Sequence, residues 1–151
     1  MHMANAPATT DSFFVRAAMS FFHATAEMAP DAANYVVDLQ AGSHRLQGDE
    51  HTREGGNDAG PAPYEFVLSG LVACTVATLR MYMQRKSWPD ARLSARAELH
   101  VERDGTQYVR RTITVDGPLD DAQRQRLLEI SEKTPVTLFI KRGTRIDTAL
   151  K

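Results

Sequence analysis

Cysteine occurs once in this 151-residue chain, and so does tryptophan. A lone thiol cannot close an intramolecular disulfide, so no covalent staple is expected, and a reducing compartment, the cytoplasm, is the expected setting. Excess charge is lacking as well: 18 Lys and Arg stand against 19 Asp and Glu, a net charge of −1. That balance offers no electrostatic footprint for nucleic acid or an anionic membrane. The apolar runs read as too short and too interrupted for a bilayer span, and the amino terminus lacks a basic region followed by an apolar stretch and cleavage site. No internal repeat, linker or cofactor-binding motif stands out. One domain over residues 1–151 is the expected organisation, long enough to bury its own core.

What is present centres on residues 55–89, the stretch that holds Cys74. Between Phe66 and Leu79 the only polar side chains are Ser69, Cys74, Thr75 and Thr78, so the pattern predicts a helix apolar on every side, placed centrally. A turn-rich loop of Gly55, Gly56, Asn57, Asp58, Gly60 and Pro61 precedes it, and Pro63 suits its first turn. Arg80, Arg85 and Lys86 suit its carboxyl end, which Ser87-Trp88-Pro89 closes. Ser69, Gly70, Ala73, Cys74 and Ala77 form a ridge of small side chains that lets a second helix approach, and in so short a chain the partner surface is expected on another subunit.

Before this helix, residues 5–11 read as disordered, residues 12–28 as a helix with a strand as the competing choice, and residues 35–40 and 44–48 as two strands of a hairpin. After it, residues 91–102 alternate strictly, with Leu93, Ala95, Ala97, Leu99 and Val101 on one face, and residues 108–115 return as the antiparallel partner. A second helix is expected from Asp120 or Asp121 to Lys133, followed by a last hairpin of residues 136–141 and 144–150. The sum is an α+β domain in which antiparallel sheet packs around helices.

Several motif-bearing residues resemble one family. Asp49-Glu50, Gly55-Gly56, Gly60-Pro61-Ala62-Pro63-Tyr64-Glu65, Ala73-Cys74-Thr75, Thr78-Leu79-Arg80-Met81-Tyr82, Lys86-Ser87-Trp88-Pro89, Gly117-Pro118-Leu119-Asp120 and Lys133-Thr134-Pro135-Val136 follow in the order seen in the OsmC/Ohr proteins, the osmotically inducible and organic-hydroperoxide-resistance proteins. The first thirty residues or so lie outside the resemblance. It implies an OsmC-like fold: antiparallel sheets around a long central buried helix, two chains intertwined into a homodimer, active sites at the interface, and a role in the oxidative stress response. It also implies a two-cysteine reduction of organic hydroperoxides, with Cys74 in the place of the peroxidatic thiol. The resolving position holds Thr134.

A hydroxyl there breaks the internal cycle, since the sulfenic acid formed on Cys74 has no second thiol with which to condense. Turnover then requires an external thiol reductant. The resemblance further implies an arginine and a glutamate beside the thiol, and the candidates are Arg45 or Arg53 together with Glu65. Within one helix Glu65 and Cys74 are nine residues apart, roughly 13 Å of rise, so Glu65 reaches the thiol only from the other subunit or else serves the helix amino end. Two functions stay open: a thiol-dependent peroxidase for bulky organic hydroperoxides, and a non-catalytic dimer that binds a small hydrophobic ligand. His44, Asp49, Glu50 and His51 match no zinc spacing and read as a polar strand end, with no metal expected. The pairs Arg110-Arg111 and Lys141-Arg142 read as solvated edges.

Overall fold

Alternating side chains and well-marked turns build two antiparallel sheets and three helices in the computed structural model, which describes residues 22–151. The first sheet holds β1 (Ala24–Glu27), β2 (Val37–Ala41) and β3 (His44–Gly48) in that order, and β2 pairs with β3 so that Leu39 faces Leu46. Gly42 turns the β2–β3 hairpin at a φ of 59°, a conformation that costs glycine nothing. The second sheet is the ribbon of β4 (Arg92–Val101) and β5 (Gln107–Asp116), in which Ala97 faces Arg111.

Between β3 and β4 in the chain lies α1 (Pro63–Arg85), which has proline at its first position and packs on β4. Its amino end is closed by Glu65, whose Oε2 accepts the Ala62 N–H at 2.9 Å. At its other end Ser87 turns back at a φ of 52°, and Arg80 donates to Asp90 Oδ1 at 2.7 Å and to the Ala91 carbonyl at 2.8 Å, tying helix to strand. Only the stripe Leu71, Thr75, Leu79 and Met83 is buried by the chain itself. Ser69, Gly70, Ala73, Ala77 and Met81 face outward, so the helix expected to be buried on every side is enclosed on one. By length and apolar composition α1 also meets the requirement for a bilayer span, contrary to the expectation of runs too short for one. Its buried stripe packs against β4 and the core, as a central domain helix does.

The core is Leu79, Met83, Ala91, Leu119 and Leu127, with Trp88, Ile113 and Val115 packed around it. Leu127 comes from α2 (Asp121–Ser131), which begins with reciprocal bonds between Asp120 and Gln123. Such a capping box satisfies two otherwise orphaned N–H groups. Arg124 of α2 donates to the Val115, Gly117 and Leu119 carbonyls and fastens the β5–α2 turn.

One open choice and one expectation meet the structure here. Residues 5–11 and most of 12–28 lie outside the described residues, but the described end of the latter is strand β1, not helix. Pairing with β2 satisfies its backbone groups, which outweighs a weak helical period. At the carboxyl end, residues 136–141 form α3 (Pro135–Arg142) in place of a strand, and residues 143–151 carry no helix or strand. The β-branched Val136, Thr137 and Ile140 suggest a strand, yet the Thr134-Pro135 pair is a cap followed by a first-turn proline. The buried Thr137 side chain then accepts from Arg111 of β5, while the helix itself packs on α1.

Candidate active site

Cys74 lies midway along α1 and is half-buried. About 100° round the helix from the buried stripe residue Thr75, it sits between the core side and the open side. Its sulfur is 3.9 Å from the Thr78 hydroxyl oxygen, one turn on. Thr75 points inward and is fully buried, and its hydroxyl donates to the Leu71 carbonyl at 2.7 Å. Cys74 is therefore held within the very turn that this side-chain bond spans.

Opposite Thr75 stands Arg111, whose side chain is only 10% exposed. Strand alternation places it on the inward face of β5 with Val109, Ile113 and Val115, while Arg110 takes the outer face. The expectation of two solvated edge arginines is thus wrong for Arg111. Its Nη1 donates to Thr75 Oγ1 at 2.9 Å and to Thr137 Oγ1 at 2.7 Å. Its Nη2 donates to the Ser131 carbonyl at 2.9 Å and reaches Glu132 Oε1 at 3.2 Å. One guanidinium so joins α1, the end of α2 and the start of α3. Glu132 also bonds Lys141, and that bond, assisted by the nearby Arg111 charge, outweighs partial burial and keeps its carboxyl below the ordinary carboxylate range.

Thr134, in the place of the resolving thiol, belongs to the same cluster. It is fully buried, and its hydroxyl oxygen lies 2.7 Å from that of Thr137. A continuous path of polar atoms therefore runs from Thr75, the neighbour of Cys74, through Arg111 and Thr137 to Thr134. Against this cluster opens a cavity of about 610 Å³ with apolar walls at Leu71, Leu99, Val109 and Ile140.

The remaining sequence candidates lie elsewhere in the chain. Glu65 and Arg53 line a second cavity of about 870 Å³, together with Tyr35, His51 and Tyr64. His51 bridges Asp58 at 3.0 Å and approaches Glu65 at 3.7 Å. Arg45 is on β3 over a separate groove with Thr25 and Glu27. Cys74 lines neither of these cavities, so within one chain the structure brings Arg53 and Glu65 together and leaves Cys74 apart from both. Asp49 is buried without charged company; burial opposes its ionisation, but the N–H groups of Ala59, Asn57 and Glu50 overcome this and hold its carboxyl below the ordinary value. No group of three or more His, Cys, Asp or Glu among the described residues is placed to hold a metal ion. Sequence reasoning missed Arg111, Thr137 and Ser131; the signal for Arg111 was its place in the alternation Val109, Arg111, Ile113, Val115.

Fold and site together define an α+β domain built on a long helix that presents a single half-buried thiol. The chain belongs to the OsmC-like protein family, whose model matches residues 55–149. Solved structures share the fold at low identity. An organic hydroperoxide resistance protein OsmC from Legionella pneumophila is 15% identical with a TM-score of 0.61, covering 82% of this chain and 91% of its own. An OsmC-like protein from Mycoplasma pneumoniae is 17% identical with a TM-score of 0.66, covering 81% and 88%. The organic hydroperoxide resistance protein OhrB of Bacillus subtilis is 19% identical with a TM-score of 0.57, covering 83% and 93%. Comparison with curated proteins finds no match.

Proposed function

We propose that this chain is a thiol-dependent peroxidase for organic hydroperoxides, with Cys74 as its nucleophile and an external thiol as reductant. The observation that carries the reading is the half-buried Cys74 on the central helix of an OsmC-like domain, a fold shared with proteins named for organic hydroperoxide resistance. In the first step the Cys74 thiolate gives an electron pair to the terminal peroxide oxygen. An S–O bond forms, the O–O bond breaks, and the departing alkoxide takes a proton to become an alcohol. Cys74 is left as a sulfenic acid. One external thiol then condenses with it and releases water, and a second thiol displaces Cys74 and leaves as a disulfide.

A homodimer completes the site in this reading. The outward stripe of Gly70, Ala73, Ala77 and Met81 on α1 supports it, because small side chains permit a second helix to pack closely. Glu65 and Arg53, which share a cavity, then act on Cys74 across the interface, the arginine stabilising the thiolate and the leaving oxygen. Arg45, over its separate groove, is the less favoured partner. A reducing compartment such as the cytoplasm suits a lone cysteine reduced by external thiol.

The test is consumption of cumene hydroperoxide in the presence of a dithiol. Cys74→Ser abolishes turnover and leaves the oligomeric state unchanged; equal turnover in both proteins overturns the assignment. The buried Thr134 hydroxyl favours a second reading, in which the dimer has lost turnover and binds a small apolar ligand in the cavity beside Leu71 and Ile140. Ligand binding that is equal in wild type and Cys74→Ser, with no peroxide consumed by either, selects it.

A further inference from the structure

We infer that Arg111 is a positioning residue for Cys74, acting through Thr75. The inference rests on the reading of Cys74 as a reactive thiol.

A threonine that donates to the carbonyl four residues back bends and slightly weakens its helix. Thr75 does so toward Leu71, and Cys74 lies inside that turn. The other partner of the Thr75 oxygen comes from β5, where Arg111 donates to it and completes its hydrogen bonding. Arg111 is itself immobilised by Thr137, by the Ser131 carbonyl and by Glu132. The planar fork of a guanidinium can serve acceptors on two sides at once, which the point charge of a lysine cannot. Through this pin the rotation of the turn from Leu71 to Thr75 is referred to the sheet, and the direction of the Cys74 sulfur follows. Thr134 has the matching part: its hydroxyl, bonded to Thr137, helps hold the oxygen on which Arg111 rests.

The experiment measures the second-order rate of Cys74 with cumene hydroperoxide by mass spectrometry from pH 5 to pH 9, and in parallel its alkylation by iodoacetamide. Thr75→Val, which keeps shape and loses the hydroxyl, slows the peroxide reaction at least tenfold; Thr75→Ser stays within twofold of wild type. Arg111→Met slows it to the same degree, and the double variant is no slower than either single one, because both remove one interaction. Arg124→Met is the control for lost stability, since it removes an arginine clamp on three carbonyls away from Cys74; it lowers the melting temperature and leaves the rate within twofold. Wild-type rates in Thr75→Val overturn the inference, as does an equal slowing by Arg124→Met. If wild-type Cys74 does not react with peroxide at all, the peroxidase reading fails separately. Alkylation then decides the positioning role, with a change of at least threefold in Thr75→Val expected and an unchanged rate overturning it.

Discussion

Thr134 and Thr137 hold their hydroxyl oxygens 2.7 Å apart in a fully enclosed corner between α2 and α3. Position 134 is therefore occupied by a group with hydrogen bonds to make, and the corner is adapted to a hydroxyl. Thr134→Val leaves the Thr137 oxygen short of a partner and costs about 1 kcal/mol in denaturant unfolding, whereas Thr134→Ser costs less than half of that.

A thiol at the same place restores the sulfur pair that the family resemblance implies. Thr134→Cys is expected to form a bridge to Cys74 on treatment with one equivalent of hydroperoxide, provided the Cα atoms lie within about 7 Å. Peptide mapping under non-reducing conditions reads the outcome. Absence of a bridge means that the two segments are not aligned as the resemblance implies.

Acid stability reports on Asp49. Its carboxyl ionises more readily in the folded chain than its ordinary value of 3.8, because three N–H groups prefer the charged form. The stability from that preference is present in full above the unfolded value and is lost as pH falls through the lower, folded one. Asp49→Asn removes the titration, so the variant is less stable than wild type at neutral pH, and its unfolding free energy falls less steeply below about pH 4. Equal slopes in urea melts across that range count against the assignment.

The loop that leads into α1 depends on two glycines. A Cβ on Gly56 would stand 1.9 Å from the Glu50 carbonyl oxygen, and one on Gly60 would stand 2.2 Å from that of Gln47. Both neighbours are backbone and cannot turn aside. Gly56→Ala is expected to destabilise by about 2 to 3 kcal/mol, read as a lower denaturant midpoint. Gly42→Ser, at a turn with open space around it, meets no such clash and costs only the strain of its positive φ.

The framework was legible where one local signal sufficed. Pro63 and Glu65 marked the start of α1, strict alternation marked β4, and the turn after it marked β5 as its partner, each nearly to the residue. Errors arose where a local pattern met a tertiary demand. Residues 136–141 look like a strand until Thr137 is required to face Arg111 from a helix. Arg110 and Arg111 look alike as a pair, although neighbours in a strand face opposite ways and only Arg111 has apolar residues two positions to either side. The lone Cys74 drew attention because of its chemistry; the arginine that braces its helix comes from 36 positions beyond Thr75, a separation that no local pattern spans.

If Cys74 is the peroxidatic thiol proposed above, a hydroxyl at position 134 also changes how long an oxidised chain can wait. With a thiol there, a sulfenic acid on Cys74 would be trapped within its own molecule, and the lifetime of that species would not depend on the surroundings. Thr134 offers no such trap. The sulfenic acid then persists until a thiol arrives from solution or a second peroxide oxidises it irreversibly to a sulfinic acid. In that reading the fate of each molecule becomes a race between two diffusing reactants, and the ratio of peroxide to thiol around it sets how many turnovers it completes before it dies.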